Sequence, residues 1–180
     1  MIDCGKISQF ATFSPRSYLI RLPFYHIIKL LITFKKKLQI IESKTSFEAI
    51  DGLHEAVILD DVVSLKMADV SKVENYEDYL FLDTGSPHHI TYVDDVNNVN
   101  VKISGSKIRY GAPYFTEGSN VNFVQQISDS TFKVRTYERG VENETLACGT
   151  GVTASAIGAY IRFKIINLII NTPTVILNYS

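Results

Sequence analysis

The sequence predicts an α+β fold in which a curved, mixed β-sheet wraps around a central helix. Short runs rich in β-branched and aromatic residues recur between Thr45 and Glu138, with polar turn residues separating them. After Cys148 comes the stretch GTGVTASAIGAYIRFKI, which is small and apolar on most faces, as a helix buried among strands would be. A chain of 180 residues is also long enough to bury a core of this kind.

The strand-like runs predict two hairpins and further strands between them. TSFEAI and LHEAVIL flank Asp51-Gly52, a dipeptide that favours a tight hairpin turn. VVSLKM, DYLFLDT and HHITYV continue the strand pattern, and NVNFVQQI and TFKVRTYE, joined by SDS, predict the second hairpin. Residues 94–110 carry no clear pattern, because their asparagines disfavour a helix interior while ISGSKIRYG could form a helical turn.

Charge and hydropathy exclude some classes of partner. The net charge of −1 does not provide the positive field that non-specific nucleic-acid binding requires, so no nucleic-acid partner is expected. Residues 1–40 nevertheless hold seven Lys or Arg against one acidic residue. Their apolar stretch from Tyr18 to Phe34 is interrupted by Arg21 and Lys29, so a membrane span is not expected. An unusual or amphipathic helix is favoured instead, which basic residues could place on an anionic surface.

The two cysteines, Cys4 and Cys148, provide no disulfide framework, and the start of the chain has no signal-peptide pattern. The sequence therefore predicts a cytoplasmic protein with reduced thiols. The four histidines and two cysteines show no metal-ligand spacing, so no metal site is expected.

The segment YERGVENETLACGTG places a thiol directly before a predicted helix start. A thiol at a helix N-terminus is near the positive end of the helix dipole, which predicts a lowered pKa for Cys148. The amides of Gly149, Thr150 and Gly151 lack partners within the helix and could bind a carboxylate. A base beside a bound carboxylate is what removal of an α-proton from an amino acid requires without a cofactor. The segment therefore predicts a catalytic acid/base at Cys148.

The same segment resembles the second catalytic signature of the diaminopimelate epimerases, in its ERG followed by ETLACGTG. GSPHH at residues 85–89 resembles the family's Gly-Asn-Pro-His element, and EGSNVNFV at residues 117–124 resembles its Asn-Val-Asn-Phe segment. The resemblance implies an epimerase-like lobe and an isomerase of lysine biosynthesis. Such an enzyme interconverts LL- and meso-diaminopimelate by cysteine acid/base chemistry and needs no cofactor.

The resemblance also implies a set of site residues. Cys148 would be one of the family's two acid/base cysteines. The substrate-binding residues would be Gly149 and Thr150 at the carboxylate of the reacting centre, Glu138 and Arg139 at amino and carboxylate groups, Asn120 at the distal end, and His88 as the active-site histidine. The family usually has Asn where this chain has Ser86, so recognition of the distal end is expected to differ here.

The second thiol of the family is missing from the pattern. Cys4-Gly5 is followed by Lys6 and Ile7 where the family has Asn and Gly. The resemblance thus divides the chain into a non-matching segment 1–40, an epimerase-like region 41–160 that includes the end of the first lobe and the second catalytic lobe, and a non-matching tail 161–180. It predicts a truncated enzyme of compromised activity whose two ends pack poorly.

Two functions stay open on the sequence alone. One is the epimerase, acting on diaminopimelate as a homodimer or with a complementing lobe. The other is a non-catalytic half-enzyme that binds a small amino acid or a partner chain.

Overall fold

A computed structural model describes residues 10–13, 32, 39, 42–49, 52–59, 62–67, 69–146, 148–165, 167–172 and 176–179. Their secondary structure comprises the strands β1 (Phe10–Phe13), β2 (Lys44–Ala49), β3 (Gly52–Leu59), β4 (Val62–Lys66), β5 (Val73–Asn75), β6 (Tyr79–Asp83), β7 (Pro87–Tyr92), β8 (Asn120–Gln126), β9 (Thr131–Glu138), β10 (Asn143–Thr145), β11 (Leu168–Asn171) and β12 (Ile176–Tyr179), the helices α1 (Val101–Tyr110) and α2 (Gly149–Phe163), and a 3₁₀ turn at Val96–Asn98. Cys4, Asp51 and nearly all of the apolar stretch 18–34 lie outside these ranges.

The strands form two sheets. The smaller sheet has the order β1-β4-β3-β2, and all its pairs are antiparallel. The larger sheet has the order β12-β11-β9-β8-β7-β6-β5, with β10 paired to β9. In this sheet β7 pairs with β8 and β9 pairs with β11 in parallel, while the other neighbours are antiparallel. The predicted mixed sheet is confirmed.

Both predicted hairpins are present. Strands β2 and β3 pair in antiparallel fashion until Ala49 lies opposite Gly52, which is the register of a hairpin. Strands β8 and β9 pair until Gln126 lies opposite Phe132, and the SDS segment closes the turn. In each case apolar alternation and local turn chemistry were sufficient to predict the pairing, because the partners are close in sequence.

The segment without a clear sequence pattern contains α1, which is preceded by its asparagines rather than interrupted by them. Asn100 is the N-cap residue, and its Oδ1 accepts a hydrogen bond of 3.1 Å from the backbone N–H of Ile103. Asp95 caps the preceding 3₁₀ turn in the same way, through the N–H of Asn97. Side-chain oxygens at these positions satisfy amides that have no partner within the helix.

Helix α2 is the predicted central helix. Twelve of its fifteen residues are buried, which requires apolar or small side chains on nearly every face. The helix packs on one face of the larger sheet, against residues that include Leu80, Ile90 and Val124. Helix α1 packs on the other face, where Gly105 lies so close to Tyr137 that a Cβ at this position would overlap its side chain. The sheet is therefore covered on both faces.

The tail after Tyr160 corrects one expectation. Strand β11 pairs in parallel with β9, and Leu168 and Ile170 are buried while Ile169 is exposed. Alternate residues of a strand point to opposite faces, so two of these side chains complete the core under α2. The expectation of a poorly packed tail was wrong for residues 168–171.

Within the described ranges no helix is both long and apolar enough to cross a membrane. The domain boundaries predicted at residues 40 and 160 stay predictions.

Candidate active site

Cys148 occupies the position immediately before α2. It is the N-cap residue, with extended backbone angles of φ −117° and ψ 107°, and the helix begins at Gly149. The side chain is a free thiol and is only 5% exposed. It makes no capping hydrogen bond of its own, and its Sγ lies 3.4 Å from Oγ1 of Thr150. The structure thus places the thiol at the helix start that the sequence predicted.

The expected lowering of the thiol pKa was wrong in direction. Burial raises the pKa of Cys148 to about 11, and the negative charge of Glu138 adds to the rise. The hydroxyl of Thr150 and the backbone amides of Gly151 and Thr150 lower the pKa, but by less than burial raises it. Desolvation outweighs the helix N-terminus because the thiol is almost completely removed from water. At neutral pH the group is therefore a thiol that holds its proton.

Three polar side chains lie beneath the first turn of α2, on the sheet face that the helix covers. We refer to His88, Asn122 and Thr136 as the polar cluster. They belong to three adjacent strands, β7, β8 and β9, where Asn122 lies opposite both Ile90 and Thr136. Their side chains are 3% exposed or less. They share one face because every second residue of a strand points the same way.

Asn122 holds the polar cluster together. Its Nδ2 lies 3.0 Å from Nδ1 of His88 and donates to the carbonyl of His89 at 3.2 Å. Its Oδ1 accepts a hydrogen bond of 2.9 Å from the hydroxyl of Thr136. Above it, a Cβ on Gly151 would lie 2.5 Å from this Oδ1, so only glycine lets the helix approach so closely. The site thus depends on a residue that the resemblance did not single out.

His88 is fully buried, and its ring is uncharged at neutral pH. Burial lowers the pKa of His88 to about 3, and the positive charge of Arg139 contributes in the same direction. Its Nε2 lies 3.1 Å from Oγ of Ser86. Ser86 belongs to the turn between β6 and β7, where Gly85 has a φ of +95° that favours glycine. A tight turn thereby brings the serine hydroxyl to the histidine ring.

Asn120 is engaged with its own protein chain. Its Nδ2 donates to Oγ of Ser86 at 3.3 Å and to the carbonyl of Pro87 at 3.0 Å. Its Oδ1 accepts a hydrogen bond of 2.9 Å from the backbone N–H of Arg139. The side chain joins the turn before β7 to the end of β9. Its predicted role at the distal end of a substrate stays a prediction.

Glu138 and Arg139 diverge at the end of β9. Burial raises the pKa of Glu138, and the Thr145 hydroxyl lowers it by a smaller amount. The buried Oε2 of Glu138 has no hydrogen-bond partner within the described part of the chain. The guanidinium of Arg139 instead points to the loop before β8 and donates to the carbonyl of Glu117 at 2.9 Å. The carboxylate thus acts on the pKa of Cys148 through its charge, while the guanidinium holds the loop before β8.

The candidate residues thus form one connected site. Thr150 contacts both Cys148 and Ser86, and Ser86 contacts His88 and Asn120. Sequence reasoning missed Asn122 and Thr136. The signal available for Asn122 was its place between the apolar residues Val121 and Phe123, and in the structure its side chain is buried.

A comparison with protein families places these residues in one matched region. The family model described as diaminopimelate epimerase matches residues 80–173, slightly more than half of the chain. The chain belongs to the diaminopimelate epimerase family. Every site residue between Ser86 and Thr150 lies within the matched region, which continues beyond Tyr160 into β11.

Curated proteins named diaminopimelate epimerase match this family member over most of its length. One from Flavobacterium psychrophilum is 56% identical over 128 residues, covering 71% of this chain and 50% of the relative. One from Aquifex aeolicus is 41% identical over 141 residues, covering 73% of this chain and 50% of the relative. The chain therefore spans about half the length of these relatives.

A solved structure shares the fold of this diaminopimelate epimerase family member. It is a phenazine biosynthesis protein of the PhzF family from Bacillus anthracis, with a TM-score of 0.60 and 10% sequence identity. The likeness covers 91% of this chain and 73% of that protein. At this identity the comparison supports the α+β fold alone.

Proposed function

We propose that this chain supplies one half-site for the epimerisation of diaminopimelate between its LL and meso forms, with no cofactor. The observation that carries the proposal is the buried thiol of Cys148 at the start of α2, beside the carboxylate of Glu138, in a chain of this family. A thiol in this position can give a proton to one face of a substrate α-carbon or take one from it.

Cys148 exchanges one proton with the substrate in each direction of the reaction. In one direction a base on the opposite face removes the α-proton, and the electron pair of the broken C–H bond spreads into the substrate carboxylate. The Sγ–H of Cys148 then delivers its proton to the α-carbon and becomes a thiolate. In the reverse direction the thiolate takes the α-proton. The pKa of about 11 makes the proton-delivering form the resting one.

The surrounding groups suit a zwitterionic amino acid. The amides at the start of α2, at Gly149 and Thr150, can hold the α-carboxylate where negative charge develops. The unpartnered Oε2 of Glu138 can accept a hydrogen bond from the substrate ammonium group, which would also offset the cost of burying this carboxylate. An ammonium bound there would weaken the effect of Glu138 on the thiol and make Cys148 easier to deprotonate.

The second base must come from outside the described residues, among which Cys148 is the one free cysteine. A complementing lobe or a second copy of the chain would supply it. The proposed setting is the cytoplasm and lysine biosynthesis, where reduced thiols and this substrate class occur together.

Exchange of the α-hydrogen tests the proposal. The chain is incubated with meso-diaminopimelate in deuterated water, and incorporation of deuterium at the α-carbon is followed by mass spectrometry. Cys148→Ser should reduce the exchange rate by at least about a hundred-fold, because a serine hydroxyl is a far weaker acid/base than a thiol. Cys4→Ser is the matched control and should leave the rate unchanged, whereas a comparable loss would identify Cys4 as the second base.

Exchange that persists in Cys148→Ser would show that another group carries the proton. The second candidate function is a non-catalytic half-enzyme, and the presence of a single free cysteine among the described residues favours it. Binding of diaminopimelate measured by calorimetry, with no exchange at any protein concentration, would select that function instead.

A further inference from the structure

We infer that Ser86 is a positioning residue that fixes the direction of a hydrogen-bond chain ending on Cys148, so that the Thr150 hydroxyl points its hydrogen at the sulfur. The inference deepens the proposed function, because it assigns a role within the same half-site. The inference rests on the hydrogen bonds that the two asparagines of β8, Asn120 and Asn122, make with their neighbours.

The direction of donation along this hydrogen-bond chain is first set at Asn122. Its Nδ2 donates to the carbonyl oxygen of His89, and its Oδ1 accepts from the hydroxyl of Thr136. A carbonyl oxygen can only accept, so the nitrogen end of this amide is fixed on the His89 side. The same nitrogen lies 3.0 Å from Nδ1 of His88, which must therefore be the accepting ring nitrogen. A neutral histidine whose Nδ1 accepts carries its proton on Nε2.

The Nε2–H of His88 then donates to Ser86. The two atoms lie 3.1 Å apart, and the buried ring stays neutral well below physiological pH. The nearby positive charge of Arg139 does not change the state of the ring, because it disfavours a second proton.

A second donor reaches the same serine oxygen from Asn120. The orientation of this amide is also fixed, since its Nδ2 donates to the carbonyl of Pro87 and its Oδ1 accepts from the backbone N–H of Arg139. Its Nδ2 lies 3.3 Å from Oγ of Ser86. A hydroxyl oxygen has two lone pairs, and His88 and Asn120 occupy both. The hydrogen of Ser86 must then point away from both donors.

Thr150 receives that hydrogen. Oγ of Ser86 lies 3.3 Å from Oγ1 of Thr150, and Oγ1 of Thr150 lies 3.4 Å from Sγ of Cys148. With one lone pair of Thr150 accepting from Ser86, its own hydrogen is directed to the sulfur. Such a bond stabilises the thiolate more than the thiol, because hydrogen bonds to charged acceptors are the stronger ones. Ser86 thus governs how readily Cys148 gives up its proton without touching it.

Reactivity of the Cys148 thiolate tests this role. In a Cys4→Ser background, methyl methanethiosulfonate modifies one cysteine, and intact-mass spectrometry gives the rate at about pH 8, where the rate follows the thiolate fraction. Ser86→Ala should slow the reaction by roughly three- to ten-fold, because the Thr150 hydroxyl loses its fixed direction. Ser86→Thr restores a hydroxyl and should return the rate to within about two-fold of the parent.

Thr84→Val is the matched control. Thr84 lies two residues before Ser86 and also contacts Thr150, but its hydroxyl donates to the backbone carbonyl of Thr150 at 3.0 Å rather than to the side-chain hydroxyl. Its replacement should leave the rate within about two-fold of the parent. A Ser86→Ala rate within two-fold of the parent, or an equal slowing in Thr84→Val, would overturn the inference.

A second measurement needs no substitution at the serine. Nitrogen-15 NMR of the labelled histidines reports the tautomer of His88, assigned by its loss in His88→Gln, and the expected form carries the proton on Nε2. A proton on Nδ1 would contradict the inference, because His88 could then not donate from Nε2 to Ser86. Neither readout involves substrate, so a chain inactive in α-hydrogen exchange can still confirm or refute the role of Ser86.

Discussion

The two ends of helix α2 rest on the same sheet face but on different chemistry. The first turn lies on the polar cluster of His88, Asn122 and Thr136. The last turns pack on Ile90 and Phe132 of the sheet through Phe163, the final residue of α2, and the rings of Phe132 and Phe163 are 5.6 Å apart. We refer to these three residues as the apolar cluster. Burial of apolar side chains at the last turns stabilises the packing of α2 on the sheet. The polar side chains at the first turn can then serve proton transfer, because the helix does not depend on them for its packing.

The largest effect should come from the apolar cluster. Phe132 is fully buried, and Phe132→Ala should lower the free energy of unfolding by about 3–5 kcal/mol, because the lost side chain leaves a cavity. Urea unfolding followed by circular dichroism measures the loss. Thr136→Val, on the same strand in the polar cluster, should cost only about 1–3 kcal/mol, since it removes one donor and leaves Asn122 Oδ1 unsatisfied. An equal loss of unfolding free energy in the two variants would contradict the difference between the two ends of α2.

The second largest effect should be a loss of stability on acidification, which comes from the buried histidine of the polar cluster. The pKa of His88 is about 3 in the folded chain, and an unfolded histidine titrates near 6.5, so the unfolded state takes up the proton first as the pH falls. Stability present above about pH 6.5 is therefore lost on acidification down to about pH 3, at about 1.4 kcal/mol per pH unit for this group.

The buried His89 adds to the acid loss, because burial lowers its pKa to about 4. His88→Gln should remove the His88 share and flatten the pH dependence of the urea midpoint between pH 4 and about pH 6.5. An unchanged slope in His88→Gln would show that the ring is not held neutral at this site.

The smallest effect should come from two glycines of α2, Gly151 in its first turn and Gly158 in its second half. An alanine Cβ at Gly151 would lie 2.5 Å from Asn122 Oδ1, whereas at Gly158 it would meet the side-chain ends of Ile90 and Tyr92 at 3.2 Å. Gly151→Ala should therefore destabilise by about 1–2 kcal/mol, as overpacking does. Gly158→Ala should be close to neutral, because the flexible contacts can shift and alanine favours helix by about 1 kcal/mol.

Thermal unfolding of the two glycine variants checks this pair. α-Hydrogen exchange in the same samples should fall in Gly151→Ala and persist in Gly158→Ala, because only the first displaces the polar cluster. The reverse order of stability would mean that the helix is seated differently on the sheet.

The fold was largely predictable because its signals are local. Hairpins follow from alternation and turn residues that are near one another in sequence, and α2 follows from an apolar stretch with a glycine-rich start. The helix α1 was harder to predict, since Asn100 reads equally well as a loop residue or as an N-cap. The packing of Leu168 and Ile170 was missed because it depends on pairing with β9, which is distant in sequence.

The position of Cys148 was predictable, because the thiol and the glycine-rich helix start lie in one segment. The direction of the thiol pKa was not, because desolvation depends on how many atoms from other elements cover the sulfur. The roles of Asn122 and Ser86 were missed for a related reason. The residues that contact one another there come from three strands, a turn and a helix. They are distant in sequence, so no local spacing predicts that they lie close together.

The parallel pairing of β7 and β8 has a consequence for how such a site can change. His88 and Asn120 lie level with each other because of backbone register, although α1 and its flanking loops separate them in sequence. The intervening crossover lies on the opposite face of the sheet from Cys148. Insertions and deletions within it can therefore accumulate without altering the distance between these two side chains, whereas a one-residue slip of either strand would turn its whole set of polar groups away from the thiol.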